Sequence, residues 1–187
     1  MKTYDLILKR RSIRKFQQKK IDRKILLDCV NAARVAPSAA NMQPLEYVVV
    51  TKALDEFFSC TRWAGYISSW SIGKDERPTA YIVILSGKEL HTYSKHDAGL
   101  AAENIVLTAL EHNIGSCILA ALEREKLAKI LAIPAEYSIE LVIALGYAQH
   151  ESFEERFKGS VKYWIDEQGN FHVPKKKLEE ILHEEKF

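Results

Sequence analysis

The sequence is organised around a stretch near its start, Arg10-Arg11-Ser12-Ile13-Arg14-Lys15-Phe16. Within these residues lie four cations and one hydroxyl, beside the apolar side chains of Ile13 and Phe16. No acidic residue occurs between Asp5 and Asp22, whereas a solvated charged face usually mixes both signs. Guanidinium groups suit planar, bidentate contacts to phosphate better than ammonium groups do. The stretch therefore indicates either an anion-binding site or a basic surface loop.

Length and composition indicate an ordinary globular protein. A chain of 187 residues is long enough for one domain with a sizeable core. The hydrophobic share of 47% and the charged share of 28% are typical of soluble proteins. The formal net charge is only +2, so no overall field attracts the chain to nucleic acid, and any preference for anions must be local.

The cysteines and the apolar runs indicate the compartment. Cys29, Cys60 and Cys117 are scattered without CxxC spacing, which argues against a zinc site or a disulfide framework and for a reducing compartment. The start of the chain lacks an apolar signal region, and no apolar run approaches the ~20 residues needed to cross a bilayer. We therefore expect a cytoplasmic protein with no metal site and no membrane contact.

Helical periodicity with a capping residue predicts two early helices. The first spans residues 4–8 with Thr3 as its N-cap, and the second spans residues 22–35 with Asp22 as its N-cap. A β-branched run at residues 47–51 then predicts a strand short enough to be buried.

Residues 52–77 lead to a second strand-like run at 80–85 and carry many aromatic side chains in an irregular pattern. Their aromatic content is too high for a solvated loop, and their spacing is too irregular for one clean helix. They predict helical pieces that either form a lid over a ligand or pack against the core.

The clearest helical pattern spans residues 97–113, with Asp97 as its N-cap and Gly115 as its C-terminal stop. Apolar side chains occupy nearly every face, which predicts burial on every side, at the centre of a domain or of a dimer. The later patterns predict a short strand or edge at 116–122, a helix at 123–131 and the strongest strand at 140–145.

A loop of small and amide side chains, Pro37-Ser38-Ala39-Ala40-Asn41-Met42-Gln43-Pro44, precedes the first strand. Asn and Ser are common in turns, so a plain turn explains it. Alternatively, the small residues let a flat ligand approach, while Ser38, Asn41 and Gln43 supply neutral hydrogen-bonding groups. A proline at each end stiffens the loop and favours this second interpretation.

The tail of the chain carries aromatic side chains that need burial, although the core strands are complete before it begins. Residues 163–173 predict a hairpin with its turn at 166–170, and a short helix follows from Leu178. We therefore expect a core domain at residues 1–150 and a C-terminal arm at residues 151–187 that wraps a partner subunit.

Four segments together resemble the nitroreductase family of FMN-dependent oxidoreductases, in order and spacing along nearly the whole chain. They are RRSIRKF at 10–16, PSAANMQP at 37–44, DAGLAAENIVLTALEHNIGSC at 97–117 and IALGY at 143–147. The resemblance implies an α+β fold, with a central, mainly antiparallel sheet flanked by helices. It also implies an intertwined homodimer that binds FMN at each of two subunit interfaces.

The resemblance assigns cofactor-binding roles to residues from distant parts of the chain. The positions that hold the FMN phosphate, its ribityl chain and the N1/O2 side of the ring correspond to Arg10, Ser12 and Arg14, with Arg11 adjacent. The loop that reaches the same flavin from the other subunit corresponds to Ser38, Asn41 and Gln43, with the backbone of Pro37 and Ala39. Backbone groups at the flavin N5/O4 edge correspond to Leu119 and Ala120. The basic pair that closes on the phosphate corresponds to Lys175 and Lys177.

This chain departs from the family pattern in two places. The segment after Ile118 lacks a glycine that is common there. Residues 156–173 form a longer stretch than in compact relatives, so Lys158 competes with Lys175 as a ligand of the phosphate.

By resemblance, a hydride passes from NADH or NADPH to the flavin, and electrons then pass to a nitroaromatic, a quinone or a similar flat acceptor by a ping-pong mechanism. The flavin N5 carries the chemistry, so we expect no catalytic acid or base on the protein. We expect His91, His96 and His112 at the surface or at helix ends.

Two alternative functions remain open. One is a specialised flavoenzyme of the same family that acts on one metabolite by dehalogenation or dehydrogenation. The other is a basic module without enzyme activity that binds nucleic acid or acidic partners. The near-neutral net charge of the chain argues against this second alternative.

Overall fold

A central antiparallel sheet with helices on both faces forms the main part of the protein, and a small second sheet forms its C-terminal part. The computed structural model describes residues 2–67, 70–87 and 91–187, with His91 and Thr92 described by main chain only. The helices are α1 (Thr3–Lys9), α2 (Arg23–Arg34), α3 (Leu54–Ser59), α4 (His91–Glu111) and α5 (Arg124–Ile130). The strands are β1 (Phe16–Gln17), β2 (Leu45–Val50), β3 (Ala80–Gly87), β4 (Gly115–Leu119), β5 (Tyr137–Ala148), β6 (Ser152–Arg156), β7 (Trp164–Ile165) and β8 (Phe171–Lys175).

Strand β5 organises the central sheet. β3 and β4 both pair antiparallel with residues 142–145 of β5, so they lie on its opposite edges. β2 pairs antiparallel with β3, and β1 pairs antiparallel with the last two residues of β5. The predicted α+β fold with an antiparallel sheet and flanking helices is therefore confirmed.

The core lies on both faces of this sheet because β3 is apolar at every position from 80 to 85. Alternate residues of a strand point to opposite faces. One set packs with α2 and α4, and the intervening set packs with residues of α3 and α5. The two sets are Ala80, Ile82 and Ile84 on the first face and Tyr81, Val83 and Leu85 on the second.

The central helix α4 begins six residues earlier than predicted, at His91 rather than Asp97. Asp97 caps nothing in α4. Its side chain is buried, and its Oδ1 accepts the main-chain N–H of Ala39 at 3.2 Å. The predicted start was wrong because residues 91–96 are mostly polar and lack the apolar periodicity that marks a helix in a sequence.

The end of α4 is set by Asn113, not by the predicted stop at Gly115. Asn113 has a left-handed φ of 59°. Its N–H donates to the Leu110 carbonyl, and the next N–H, of Ile114, donates to the Ala109 carbonyl at 2.8 Å. This pair of bonds closes a helix through a left-handed residue. Gly115 is instead the first residue of β4, where its small size makes room for the side chain of Ile13.

Two other predictions were wrong in detail. Thr3 is the first residue of α1 and Lys2 is the N-cap, whereas Asp22 is confirmed as the N-cap of α2, its side chain accepting the Lys24 N–H at 2.8 Å. The predicted buried strand at 47–51 is β2, which lies at the edge of the sheet and leaves Val49 exposed. Its β-branched composition does not distinguish an edge strand from a buried one.

The C-terminal part contains the predicted hairpin, since β7 and β8 pair antiparallel across the turn at 166–170. β6 pairs parallel with β8 and completes a three-stranded sheet, which we call the arm sheet. The predicted helix from Leu178 is a single exposed 3-10 turn.

Residues 52–77 contain the expected helical pieces, α3 and a 3-10 turn at Lys74–Glu76, while residues 68 and 69 lie outside the described ranges. Within residues 2–67, 70–87 and 91–187, no helix is long and apolar enough to cross a membrane.

Candidate functional site

The basic stretch at residues 10–16 lies directly against the central sheet. The Ile13 N–H donates to the Ser116 carbonyl of β4 at 2.8 Å. Two glycines that face each other across the β4–β5 ladder, Gly115 and Gly146, make room for it. A Cβ at Gly115 would lie 3.0 Å from the Ile13 side chain, and one at Gly146 would lie 2.7 Å from Phe16. The two glycines therefore allow a backbone approach that any larger residue would obstruct.

Three of the predicted cofactor residues lie near Cys117 of β4. Ser12 forms a parallel bridge with Ser116, the residue before Cys117, and the guanidinium groups of Arg14 and Arg10 lie near enough to act on the pKa of the thiol. Burial raises the pKa of Cys117, and these three neighbours oppose that rise. Arg10, Ser12 and Arg14 therefore all lie near the same residue of β4.

Arg14 packs against aromatic rings of the C-terminal part. Its Cζ lies 4.6 Å from the ring centroid of Tyr163 and 4.8 Å from that of Phe171, both in the C-terminal part. Such contacts stabilise a guanidinium group through the electron-rich ring faces. However, its Nη1 is buried and has no hydrogen-bond partner among the described residues. A buried donor of this kind needs an acceptor, which the described part of this chain does not supply.

Arg10 and Arg11 each have an acidic partner. The Arg10 Nε lies 3.4 Å from the Glu103 Oε1 of α4, and Arg11 forms a short ion pair with Glu154 of β6. The Arg11 Nε remains buried without a partner in the part of the chain that the structure describes. Both arginines line a cavity of about 370 Å³ together with Ser116 and other residues of β4 and β6.

The loop at residues 37–44 is held in a tight conformation. The Gln43 N–H donates to the Ser38 Oγ at 3.0 Å, and Asp97 holds the Ala39 N–H. Ala40, Asn41 and Gln43 all have positive φ, between 49° and 55°. Non-glycine residues adopt this region only at an energetic cost, and such strain is often found at functional sites. Pro37, Ser38 and Gln43 line a cleft of about 220 Å³.

This cleft lies apart from the cavity beside Arg10 and Arg11, and the two share no lining residue. Helix α4 contacts both regions through Asp97 and Glu103. These two residues are about 9 Å apart along the helix axis and point roughly 120° away from each other. The single chain therefore does not bring the 37–44 loop together with the basic stretch.

The other predicted cofactor residues are distributed as follows. Leu119 is buried at the end of β4, and Ala120, which follows it, is exposed. Lys175 ends β8, and Lys177 follows it; both are exposed, as is Lys158. No described acidic side chain forms an ion pair with any of these three lysines.

Two histidines that the sequence did not single out hold the C-terminal part in place. His150 is buried and accepts the main-chain N–H of Arg14 at its Nε2, 2.9 Å away. His172 bridges Glu155 at 2.8 Å and Asp166 at 3.1 Å within the arm sheet. Its hydrogen bond to Glu155 is the largest influence that raises the pKa of His172. No local pattern distinguishes these residues from surface histidines.

The histidines that were predicted to be peripheral fit that expectation where they are described. His96 is exposed on α4, and His112 is half-buried just beyond the end of that helix. The side chain of His91 lies outside the described residues.

Comparisons with known proteins agree with this architecture. A sequence model of the nitroreductase family matches residues 7–147. A provisionally named NADH dehydrogenase/NAD(P)H nitroreductase of Archaeoglobus fulgidus is 31% identical over 159 residues, covering 78% of this chain and 85% of its own length. An iodotyrosine deiodinase of Thermotoga neapolitana is 24% identical over 166 residues, covering 77% of this chain and 87% of its own length.

Solved structures share the fold. A protein from Parabacteroides distasonis, provisionally named NADH dehydrogenase/NAD(P)H nitroreductase, matches with a TM-score of 0.73 at 22% identity, covering 99% of this chain and 98% of its own. An FMN-dependent nitroreductase from Clostridium difficile R20291 matches with a TM-score of 0.69 at 24% identity, covering 97% and 98%. Given the family match across the central sheet and the basic stretch, the chain belongs to the nitroreductase family of oxidoreductases.

Proposed function

We propose that this protein is an FMN-dependent oxidoreductase that uses NADH or NADPH to reduce a nitroaromatic, a quinone or a similar flat acceptor. The observation that carries this proposal is the buried Nη1 of Arg14, which lacks an acceptor among the described residues. The names of the A. fulgidus and C. difficile relatives support the electron donor and the cofactor.

The residues present fit FMN. Its phosphate carries close to two negative charges, and the chain offers a buried N–H without a partner among the described residues on Arg11 Nε and on Arg14 Nη1, together with the hydroxyl of Ser12. Arg10, Ser12 and Arg14 would hold the cofactor from one subunit, with Arg11 adjacent and Lys175 and Lys177 closing on the phosphate. The backbone at Leu119 and Ala120 would meet the ring edge. When bound, FMN supplies the hydride and electron transfer, so these residues bind, orient and exclude water.

The separation of the 37–44 loop from the basic stretch supports a site shared between two subunits. In the proposed homodimer, Ser38, Asn41 and Gln43, with the backbone of Pro37 and Ala39, would complete the site of the partner. Apolar side chains on α1 and α4 are exposed in the single chain, including Tyr4 (69%), Leu8 (53%) and Leu100 (47%). Large exposed apolar side chains grouped in this way mark an interaction surface.

We expect sedimentation at micromolar concentration to give a dimer, because burial of these side chains and of the C-terminal arm needs a second subunit. The double variant Tyr4→Glu with Leu8→Glu should shift the protein toward monomer. Thr51→Glu, at an exposed residue directly after the edge strand β2, is the control and should leave the dimer intact. A stable monomer of the unmodified protein that binds FMN would contradict the shared site.

The kinetics should be ping-pong. The nicotinamide must stack on the flat ring with its reacting carbon about 3–3.5 Å away, and a flat acceptor needs the same surface. NAD(P)⁺ should therefore leave before the acceptor binds. Reciprocal plots against NAD(P)H at several acceptor concentrations should give parallel lines. Intersecting lines would indicate a ternary complex and a second substrate site.

The position of the phosphate ligands can be tested with lysine variants. We expect Lys175→Ala with Lys177→Ala to weaken FMN binding more than Lys158→Ala, because β8 pairing fixes Lys175 in the arm sheet. Flavin fluorescence titration gives the three affinities. Loss of FMN binding in the Lys158 variant alone would identify Lys158 as the lysine that binds the phosphate.

A second candidate within the family is reductive dehalogenation of a single metabolite, which the similarity to the T. neapolitana iodotyrosine deiodinase favours. An acceptor screen with NADH and NADPH separates the two. Broad turnover of quinones and nitroaromatics supports the first, and halide release from a halotyrosine with little quinone turnover supports the second. A purified protein that takes up no FMN and is not yellow would instead favour a basic binding module.

A further inference from the structure

His150 is a buried titratable group that the proposed function does not use. It lies two residues beyond β5, where the core domain passes into the C-terminal part, and is only 9% exposed. Its ring packs against Phe171 of β8 with the centroids 4.9 Å apart. A buried imidazole must satisfy both ring nitrogens, and here both have partners.

The hydrogen bonds of His150 define its protonation state. The Nε2 lies 2.9 Å from the Arg14 main-chain nitrogen, and the Nδ1 lies 2.8 Å from the Glu151 carbonyl oxygen. A main-chain N–H can only donate and a carbonyl can only accept. The Nε2 must therefore be the acceptor and the Nδ1 must carry the proton, so the ring is neutral.

This ring contacts Arg14 at its main chain. His150 holds the Arg14 main chain, while Phe171 contacts both the His150 ring and the Arg14 guanidinium. Trp70 in turn packs edge-on against Phe171, with ring centroids 5.4 Å apart. The direction in which Arg14 extends thus depends on its main-chain bond to His150 and on ring contacts that converge on Phe171.

We propose that His150 is a positioning residue for the cofactor: as a neutral acceptor it fixes the Arg14 main chain and so places the Arg14 guanidinium for FMN. The inference rests on the proposed function, because it assigns Arg14 to the flavin. His150 itself need not touch the cofactor. Its effect should appear as FMN affinity and as a dependence of that affinity on pH.

The direction of the pH dependence follows from the charges around the ring. Burial is the main cause that lowers the pKa of His150 below its ordinary value of 6.5, and the nearby cations Arg14 and Lys15 act in the same direction. The hydrogen bond to the Glu151 carbonyl and the charge of Glu76 oppose them.

Because the pKa is lowered in the folded protein, the neutral ring persists through neutral pH and is lost as the pH falls through the folded value. Protonation would place an N–H against the Arg14 N–H and break that bond. The contribution of His150 to FMN affinity is therefore complete at neutral pH and disappears in acid.

The test is FMN titration by flavin fluorescence at about pH 7.5 and at the lowest pH at which the unmodified protein stays folded. At the higher pH, His150→Ala should weaken binding about tenfold, because the buried Arg14 N–H loses its acceptor. His150→Gln should stay within about threefold of the unmodified protein, since its side-chain carbonyl can reach the place of Nε2. Gln149→Ala, at the exposed neighbouring residue, is the matched control and should bind as the unmodified protein does.

The pH comparison excludes a merely structural role. Protonation of the FMN phosphate weakens binding to every variant alike, because its second pKa is near 6. Only the unmodified protein should lose further affinity at acidic pH relative to His150→Gln. If His150→Ala does not fold, this comparison still decides the proposal.

Two results would overturn the proposal while leaving the proposed function intact. One is equal FMN affinity of the unmodified protein and both His150 variants at both pH values. The other is a proton on Nε2 rather than Nδ1 in nitrogen NMR of the imidazole at neutral pH. If the unmodified protein does not bind FMN, the proposed function fails first, and the role of His150 in cofactor binding fails with it.

Discussion

Replacement of Arg14 by alanine is expected to weaken FMN binding by roughly 10- to 150-fold, which corresponds to about 1.5–3 kcal/mol for a lost hydrogen bond to a charged group. The reason is that the Arg14 guanidinium packs against two adjacent aromatic rings and that its buried Nη1 needs an acceptor. Arg10→Ala should weaken binding less, because Glu103 already compensates part of its charge.

The control for these variants is Arg156→Ala, since Arg156 is exposed at the end of β6. Arg14→Lys adds a second comparison, because it keeps the charge but removes the planar donor geometry, and it should bind FMN with intermediate affinity. Flavin titration of the four variants gives the order. Equal affinities would mean that the basic stretch is a surface loop and not a cofactor site.

The second large effect is expected from Gly146→Ala. The added Cβ would lie 2.7 Å from the Phe16 ring, and Phe16 is fully buried and has no room to move away. Overpacking of this kind costs about 1–3 kcal/mol, which lowers the melting temperature of a protein of this size by roughly 2–12 °C. Displacement of Phe16 also shifts Arg14, two residues away, so FMN affinity should fall together with stability.

Thermal unfolding followed by circular dichroism measures the first effect, and flavin titration measures the second. Gly65→Ala is the matched control, because a Cβ at that position has no atom within 4 Å. An unchanged melting temperature in Gly146→Ala would contradict the close approach of the basic stretch to the sheet. A lower melting temperature with unchanged FMN affinity would mean that the basic stretch does not form part of the cofactor site.

Several elements of this fold could be predicted because their signals are local. Asp22 caps α2 through its own side chain two residues from its partner, and the turn at 166–170 closes a hairpin within one short segment. The apolar run at 80–85 was predicted to be a strand and is part of β3, and its burial on both faces was seen only in the structure. The cofactor roles of Arg10, Ser12 and Arg14 came from the family resemblance of the basic stretch and stay a prediction; all three lie near Cys117 of β4.

The parts that only the tertiary structure decided depend on contacts between distant residues. The sequence predicted Gly115 as a helix stop, but its small size instead makes room for the side chain of Ile13, which is far away in the sequence. Asp97 looked like a helix cap, yet it holds the loop at Ala39.

His150 carried no signal in the sequence, because its partner is the main chain of Arg14, and a main-chain N–H is the same for almost every residue type. A local sequence pattern reflects only the interactions that a residue makes within its own segment. The identity of a distant partner is decided only when the sheet brings the two segments together.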